Sequence, residues 1–486
     1  MQIHLLSVNI LTTNRERKEG MFQTIIGTIS SFMYSKLLVI LLIGAGVYFT
    51  IRTRFPQVRL FKRACGSVME KPEDKKAISS FQALMVSTAS RVGTGNIVGV
   101  SSAICIGGFG SVFWMWVIAI IGSASALIES TLAQIYKKKG KDGSCYGGPA
   151  YYIEAALHCR PLAIVFCVAM ILTYAFGFNM LTSYNLQSTF SVFSFYDAKM
   201  SPWIIGGILA VLTGWCLLGG GSRIVKVTSM VVPVMGIAYI GISLLVVIIN
   251  IQNVPAMFVR IFEEAFDFKA IFGAFSGSAM MQGIRRGLYS NEAGIGSAPN
   301  ASASANVSHP VKQGLIQALS VFTDTIVICS CTAFIILLSD LPLDGTLKGI
   351  QLTQAAVGHE IGPFGAQFIA FCILLFAFSS IVGNYSYCET NLFFISRHPA
   401  GLQIYRIAVG GMVFFGSVAG LDIVWNLADL FMALMTLINL IALIFLGHLA
   451  LKALKNYNDQ KRRGIKSPVF KASDIPEIED QLSEWK

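Results

Sequence analysis

Charged residues are scarce in this chain of 486 residues: Asp, Glu, Lys and Arg make up 13% of the sequence, whereas hydrophobic residues make up 54%. This balance, with a mean hydropathy of +0.64, excludes an ordinary soluble domain, whose surface needs more charge. Apolar runs of about 20 residues recur along the chain, and each is long enough to cross a hydrocarbon core of roughly 30 Å. The chain is therefore predicted to reside in a lipid bilayer.

Histidine and cysteine are few and scattered. The six histidines lie in loops or at the ends of apolar runs without the spacing of metal ligands, and most of the ten cysteines lie within apolar runs. This pattern excludes a disulfide framework and is typical of small packing residues. No Ser/His/Asp, paired-carboxylate or transition-metal constellation is evident, so we expect neither an enzyme nor an enzymatic cofactor.

Eleven apolar runs are predicted to span the bilayer as helices. They cover residues 36–52, 82–107, 110–136, 161–193, 203–221, 226–250, 269–284, 313–338, 364–388, 404–420 and 425–451. The seventh run is the weakest, because Gly273, Gly277 and Gly283 interrupt it.

The net charge of +11 is explained by topology rather than by a nucleic-acid partner. Most lysines and arginines fall in alternate loops, as the positive-inside rule expects. These loops are 52–81, 137–160, 222–226, 285–312, 389–406 and the tail after residue 451. The N terminus is therefore predicted outside and the C terminus in the cytoplasm. The first 20 residues lack a signal-peptide pattern, and Met21 is an alternative translation start.

The second predicted span is interrupted at its middle by Gly93, Thr94, Gly95 and Asn96. A helix breaks at that depth only where its exposed backbone lines a cavity or binds a ligand. The N-terminus of a half-helix offers amides to a carboxylate, and freed carbonyls coordinate sodium. This pattern indicates a transporter of an amino acid with a cation. The alternative is that the glycines serve close helix packing alone.

The spans divide into one added helix and two groups of five. The predicted segments are an N-terminal segment 1–35, an extra helix 36–52, a cytoplasmic loop 53–81, a first five-helix repeat 82–250, a second repeat 269–451 and a cytoplasmic tail 452–486. Each group of five begins with an interrupted helix, which is the inverted-repeat plan of LeuT-type transporters. The predicted fold class is an all-α polytopic membrane protein with a LeuT-like 5+5 repeat.

Five segments carry a family resemblance. They are RVGTGNIVGV from Arg91, GGFGSVFWMWVIAIIG from Gly107, GGPAYYIEAAL from Gly147, RRGLYSNEAGIGSAP from Arg285 and FAFSSIVGNYSYCETN from Phe376. The chain resembles the alanine or glycine:cation symporter family, also called the sodium:alanine symporter family, within the LeuT-like superfamily. The resemblance covers nearly everything from residue 21 to about residue 455.

The resemblance implies a substrate site and a sodium site at the first break. The implied substrate residues are Thr94, Gly95, Asn96, Gly277, Ser278, Met281 and Gln282, with Tyr174 and Phe176 as a hydrophobic lid. The implied sodium residues are Val92, Gly95, Ser379 and Ser380, which would supply oxygen ligands. Three alternatives stay open: Asn96 as a helix-packing donor, the serines bonding to their own helix backbone, and the aromatic rings as core.

Charges inside a membrane are costly and mark functional sites by default. Arg91 is predicted to pair with an acidic neighbour in a cytoplasmic gate, and Asp324 is the candidate for proton or cation coupling. Arg285 and Glu292 are expected to form ion pairs in or beside the small-residue segment 290–310, which the resemblance makes an ordered cytoplasmic element. The alternatives are a fixed structural ion pair for Arg91 and inside-positive topology for Arg285.

Together these patterns predict a sodium-coupled symporter that imports alanine or glycine by alternating access. The resemblance places it in the cytoplasmic membrane of a bacterium or archaeon. Glutamine is the alternative substrate, the proton is the alternative coupling ion, and a gated channel is the alternative class of protein.

Overall fold

Helices dominate the computed structural model, which describes residues 33–70, 72, 77–140, 143–267, 278–419 and 421–485. Eight helices in these residues are long and apolar enough to cross a membrane. They are Gly110–Ile135, Arg160–Val192, Ser201–Leu218, Gly220–Ile249, Pro310–Leu338, Phe364–Ile395, Pro399–Val418 and Ala428–Arg462. They correspond to the third to sixth and eighth to eleventh predicted spans. A short antiparallel ladder pairs Lys138–Lys139 with Cys145–Tyr146.

The second predicted span is two half-helices, Ser80–Arg91 and Gly95–Gly107, which we call the first broken helix. Ser79 starts it with a capping box, because its hydroxyl accepts from the Gln82 N–H while the Gln82 side chain accepts from the Ser79 N–H. The first half ends at Val92, whose N–H bonds to the Thr88 carbonyl at 2.8 Å. Residues 92–94 are not helical, so the break predicted from the glycines is present.

The seventh predicted span lies partly outside the described residues, because residues 268–277 are not among them. Beyond that gap Ser278 caps the helix Ala279–Asn291 by accepting from the Met281 N–H at 3.3 Å. This helix continues well past the predicted end at residue 284. The prediction that Arg285 lies in a loop is therefore wrong: it is helical, and the chain turns only at Glu292 (φ 52°).

Two other helices also run past their predicted ends. The ninth span, predicted to end at residue 388, reaches Ile395, and the last helix, Leu421–Arg462, extends through the first residues of the predicted tail. In both cases the added turns are more polar than the membrane-spanning part. Hydropathy shows where a helix leaves the bilayer, whereas the helix itself continues as long as its backbone is hydrogen-bonded.

Three π-helical turns widen helices near the first break. They are Gly95–Gly99, Leu172–Phe178 and Phe322–Cys329. A π-helical turn inserts a residue into the α-helical repeat and rotates the side chains that follow, and such turns are frequent at functional sites.

Small residues allow the helices around Gly110–Ile135 to approach closely. A side chain at Gly287 would meet the Ile118 Cγ2 atom at 2.5 Å, and one at Gly314 would meet the Leu127 carbonyl oxygen at 2.6 Å. These contacts fix the two helices that carry Tyr289 and Asp324 against a common neighbour. Glycine thus serves packing at these positions.

After Arg462 the chain folds back onto the same end of the molecule. The buried side chains of this tail include Phe470, Ala472, Ile475, Ile478, Leu482 and Trp485. The indole of Trp485 donates to the Gln134 carbonyl at 3.0 Å, and the Phe470 N–H donates to the Ser308 carbonyl at 2.9 Å. The tail therefore packs on the ends of the helices that begin or finish near residues 135 and 310.

Candidate functional site

The side chain of Asn96 connects the first break to two other helices. Its amide oxygen accepts from the Gly93 N–H at 2.9 Å. Its amide nitrogen donates to Asp324 Oδ1 at 2.7 Å and to Ser290 Oγ at 3.0 Å. Because Asn96 is fully buried, these bonds are not exchanged with water. Asn96 therefore stabilises the backbone conformation of the break and also fixes the break against the neighbouring helices.

Asp324 lies in a π-helical turn and is buried. Besides the bond from Asn96, its carboxylate accepts from Ser290 Oγ at 2.6 Å and from Thr325 Oγ1 at 3.0 Å. Three donors thus surround the carboxylate. In this conformation Asp324 stabilises the break through its hydrogen bond from Asn96 and does not line the cavity described next.

A cavity of about 20 Å³ lies beside the break. It is lined by Ser90, Arg91, Gly93, Thr94, Gly95, Phe178, Thr182, Tyr289, Glu292, Ser380 and Asn384. These residues come from the first broken helix and from three other helices. A space of this size holds about one water molecule. An amino acid fits only after the walls move apart, as expected of a site that opens to one side at a time.

Side-chain amides hold the walls of this cavity together. Ser90 Oγ donates to Asn384 Oδ1 at 2.6 Å, and the amide nitrogen of Asn384 donates to Asn179 Oδ1 at 2.9 Å. At the residue that precedes the other half-helix, the amide nitrogen of Asn185 donates to Thr94 Oγ1 at 3.2 Å. The first broken helix is therefore tied on both sides of its break.

Aromatic rings close one side of the cavity. The ring of Tyr289 lies 4.9 Å from that of Phe178 and 5.3 Å from that of Trp425, between centroids. A Cβ atom at Gly95 would lie 2.6 Å from the Tyr289 ring, so only glycine allows the ring to cover the break. Tyr289 and Phe178 are therefore the hydrophobic wall nearest the break.

The structure places Tyr174 and Phe176, the predicted lid residues, outside the cavity wall in this conformation. Tyr174 is buried next to Phe178 and does not reach the cavity. Its ring centroid lies 4.8 Å from that of Phe178 and 5.5 Å from that of Tyr387. Phe176 is half-buried against the hydrophobic core and does not line the cavity. Phe178 lines the cavity instead, because the π-helical turn at Leu172–Phe178 changes which side chains face inward.

The two serines of the predicted sodium site face different neighbours. Ser379 Oγ donates to the Phe376 carbonyl of its own helix at 3.1 Å and contacts Met235 Sδ at 3.4 Å. Ser380 lines the cavity, and a side chain at Gly93 would collide with its hydroxyl. Among the residues that the structure describes, this buried hydroxyl has no hydrogen-bond partner. Of the two, only Ser380 is placed to serve a ligand at the break, near Val92.

Arg91 and Glu292, residues of opposite charge type, both line the cavity. Nη1 of Arg91 donates to Gln317 Oε1 at 3.3 Å, while its Nε and Nη2 have no partner within the described part of the chain. Glu292 Oε2 accepts from Ser297 Oγ at 2.7 Å. Both side chains are buried, so their charges act on the cavity with little screening by water.

Arg285 lies elsewhere. It shares its helix with Arg286, and both cations are near the carboxylate of Asp429. The Arg286 guanidinium lies 4.3 Å over the Trp425 ring. Arg285 therefore belongs to a charge cluster next to the aromatic wall and lies in a helix, not in the loop where its ion pairing was predicted.

Of the four substrate residues predicted on the seventh span, the three that the structure describes do not line the cavity. Gly277 lies outside the described residues. Ser278 caps its helix, Met281 is buried in the core, and Gln282 packs with its Cβ atom beside Gly107. None of these last three lines the cavity in this conformation.

A buried carboxylate organises the chain that follows this helix. Glu129 accepts from the N–H groups of Gly294 and Gly296, at 3.3 and 3.1 Å, and from the side chain of Asn439 at 3.0 Å. Both glycines have positive φ, at 80° and 95°. This loop orients Glu292 towards the cavity. Glu129 is recognisable in the sequence as an intramembrane charge, but its partners are distant in the chain.

Comparison with known proteins relates this arrangement to a family. The family model described as the sodium:alanine symporter family matches residues 19–472. The chain belongs to this family. The family and the relatives below are transporters, which confirms the prediction that this symporter is not an enzyme. Amino acid:cation symport across a membrane is its general activity.

Three curated relatives cover nearly the whole symporter. "Amino-acid carrier protein AlsT" of Bacillus subtilis (strain 168) is 48% identical, over 95% of this chain and 97% of the relative. "Probable sodium/glutamine symporter GlnT" of the same organism is 46% identical, over 93% and 94%. "Sodium/alanine symporter AgcS" of Methanococcus maripaludis is 35% identical, over 92% and 99%.

Among solved structures, this symporter is similar to the crystal structure of MhsT in complex with L-phenylalanine. The TM-score is 0.51 at 14% sequence identity, over 84% of this chain and 93% of that chain. This likeness confirms the predicted LeuT-like fold. The count of eleven spans stays a prediction.

Proposed function

We propose that this symporter uses an inward sodium gradient to import a small neutral amino acid, alanine or glycine, by alternating access. The observation that carries the proposal is the cavity at the first break, which combines backbone amides, an unpartnered hydroxyl and a close aromatic wall. The site lies between helices that are tied by side-chain hydrogen bonds and do not share a continuous backbone.

The amides of the second half-helix are suited to the substrate carboxylate. The first N–H groups of a helix lack intrahelical partners and carry the positive end of its dipole. Asn96 already satisfies the Gly93 N–H, which leaves those of Thr94 and Gly95 without an acceptor in the described part of the chain. We assign the carboxylate to this pair of amides.

Ser380 is suited to the cation. Sodium prefers oxygen ligands, as hard cations do. The Ser380 hydroxyl faces Gly93, where the unwound chain frees the carbonyls near Val92. A sodium ion held there fixes the break in the shape that presents the amides of Thr94 and Gly95, so ion and substrate each increase the affinity for the other.

The walls favour a small side chain. Tyr289 lies directly over Gly95 with Phe178 beside it, and the space is about 20 Å³ before any opening. Alanine and glycine require less wall movement than glutamine. Glutamine stays the alternative, because a relative of 46% identity carries a glutamine symporter's name.

Gating is assigned to the charged residues around the cavity. We infer that Arg91 and Glu292 close one side of the site by attracting each other, and that Asp324 couples ion binding to the break through Asn96. We assign Arg285 to the charge cluster near Asp429, next to the aromatic wall. The positive-inside pattern supports a cytoplasmic membrane location with the C terminus inside.

A binding measurement on purified protein in detergent tests the substrate and the ion together. Labelled alanine is expected to bind in sodium chloride and not in choline chloride at equal ionic strength and pH. Unlabelled glycine is expected to compete within about tenfold of alanine, and glutamine more weakly. Stronger competition by glutamine than by glycine would change the assigned substrate to glutamine. Equal alanine binding in choline chloride and in sodium chloride at several pH values would exclude sodium as the coupling ion.

A further inference from the structure

A second cavity, of about 300 Å³, lies away from the broken helix, between the end of the helix Val39–Arg52 and the helix Leu421–Arg462. We call it the basic pocket. Its charged wall residues are Arg52, Arg54, Arg59, Lys455 and Arg462, with one carboxylate, Asp459. Five cations around one cavity repel one another unless an anion lies between them.

The residues that the structure describes supply little compensating charge to the basic pocket. Asp459 is 3.7 Å from Arg462, and both side chains are substantially exposed to solvent. Within the described residues, no carboxylate lies within ion-pair distance of Arg54, Arg59 or Lys455. Partial burial and the neighbouring arginines lower the pKa of Arg59, which shows the same excess of positive charge.

The basic pocket lies where apolar surface gives way to charge. The helix Val39–Arg52 exposes Ile40 by 70% and Ile51 by 62%, and the helix Leu421–Arg462 exposes Phe445 by 63%. Surfaces of this kind on membrane-spanning helices face acyl chains. The pocket follows directly after them along both helices, at the level where headgroups begin.

The turn that forms the pocket adds apolar side chains beside the cations. Arg54 and Phe55 both have positive φ, at 58° and 52°, a conformation that side chains rarely adopt. This turn holds Arg54 in the pocket wall, while Phe55 and Val58 are 57% and 76% exposed. A ligand that satisfies both features has an anionic group and an apolar part.

We propose that the basic pocket binds the phosphate of an anionic phospholipid, whose acyl chains lie on the exposed apolar faces of the two helices. Clustered arginines and lysines at a membrane interface bind anionic headgroups, and arginine donates paired hydrogen bonds to phosphate. A free phosphate ion shares the headgroup chemistry but gains nothing from Phe55 or Val58. The site is distinct from the transport cavity and does not depend on the substrate assigned above.

Native mass spectrometry of the full-length protein tests this site. Short-chain phosphatidylglycerol is titrated into delipidated protein, with phosphatidylcholine of the same chain length as the uncharged control. We expect phosphatidylglycerol to bind at least tenfold more tightly. The variant Arg54→Gln/Lys455→Gln removes two cations that have no hydrogen-bond or ion-pair partner in the described chain, and it is expected to weaken this binding about tenfold. A melting temperature in detergent within a few degrees of the parent shows that the variant is folded.

The matched control is Lys139→Gln/Lys466→Gln, which removes the same charge from exposed positions outside the pocket. It is expected to bind phosphatidylglycerol within about twofold of the parent. Equal losses in both variants would reduce the effect to general surface charge and overturn the proposal. Equal binding of phosphatidylcholine would overturn it too, and so would displacement of the lipid by an equal concentration of inorganic phosphate, which would identify a soluble anion as the ligand.

Discussion

At the residue scale, Asn96 shows how a single side chain joins the backbone of the break to the interior of the protein. It satisfies the Gly93 N–H and supplies one of the three donors to Asp324. Asn96→Ala leaves a buried N–H and a buried carboxylate short of a partner, a loss of about 1–3 kcal/mol. Because the break serves both ligands, we expect the affinities for alanine and for sodium to fall together, by about tenfold or more.

The measurement is alanine binding as a function of sodium concentration, and sodium binding as a function of alanine concentration. Ser102→Ala is the control, since Ser102 bonds only to the Val98 carbonyl within the same half-helix. If Asn96→Ala changed one affinity and left the other unaltered, the coupling through the break would be refuted.

The neighbouring serines Ser379 and Ser380 provide a matched pair. Ser380 presents a buried hydroxyl to the break, whereas Ser379 bonds to its own helix. We expect Ser380→Ala to raise the sodium concentration for half-maximal alanine binding about tenfold, and Ser380→Thr to retain the parental value because the hydroxyl is kept. Ser379→Ala is expected to differ from the parent by less than about twofold. If Ser379→Ala raised the required sodium concentration more than Ser380→Ala did, the sodium site would lie elsewhere.

Residue roles could be predicted from the sequence where local backbone chemistry decides them. The break at Gly93–Asn96 follows from glycine content at bilayer depth. The aromatic wall at Phe178 and Tyr289 does not, because it depends on a π-helical turn and on a helix that continues past residue 284. Neither feature leaves a hydropathy signal. The partners of Glu129 are also unpredictable locally, since Asn439 is far away along the chain.

At the element scale, the loop after Asn291 depends on two glycines in the left-handed region. Gly296 has φ 95°, and a Cβ atom there would lie 2.9 Å from Asn439 Cγ. Gly296→Ala therefore adds a steric clash to a backbone cost of about 1–2 kcal/mol. We expect a lower melting temperature in detergent and reduced alanine uptake, because the loop orients Glu292.

Gly464→Ala is the control for backbone strain alone. Gly464 has φ 83°, and nothing lies within 4 Å of an added Cβ atom. Its melting temperature is expected to fall less than that of Gly296→Ala, with uptake retained. Equal effects of the two substitutions would show that the packing against Asn439 is unimportant.

The helix that begins at Pro310 carries a buried histidine cap. His309 Nδ1 accepts from the Val311 N–H at 3.2 Å, and its ring packs on Tyr457 and Phe470. Burial lowers the pKa of His309 from 6.5 to about 3. Below pH 6.5 the unfolded chain binds a proton that the folded chain does not, so stability falls as pH decreases towards 3. We expect His309→Asn to reduce this loss of melting temperature.

An asparagine at position 309 retains the helix cap, because its side chain can also accept a hydrogen bond from the Val311 N–H. His398→Asn is the control for the cap itself, since His398 is exposed and accepts from the Ala400 N–H in the same way before a proline. Melting curves between pH 4 and pH 7 give the comparison. Parallel curves for the parent and His309→Asn would remove His309 as the source of the acid sensitivity.

At the scale of the whole molecule, the sequence predicted the class of fold from composition, span order and two glycine-rich interruptions. The likeness to a LeuT-like structure confirms that fold, and eight long apolar helices lie where spans were predicted. Helix ends were less predictable, as the extension to Arg462 shows, because a helix does not stop where hydropathy falls. The packed tail that ends near Trp485 also carried no local signal.

The central claim is that ion and amino acid move together through the site at the first break. The most direct measurement is uptake of labelled alanine by purified protein in liposomes, with sodium outside and potassium inside. The account predicts that alanine accumulates inside the liposomes above its external concentration. This accumulation is expected to collapse when the sodium gradient is dissipated, and the variant Ser380→Ala is expected not to accumulate alanine at low sodium. Alanine that only equilibrates across the membrane, with or without sodium, would contradict it.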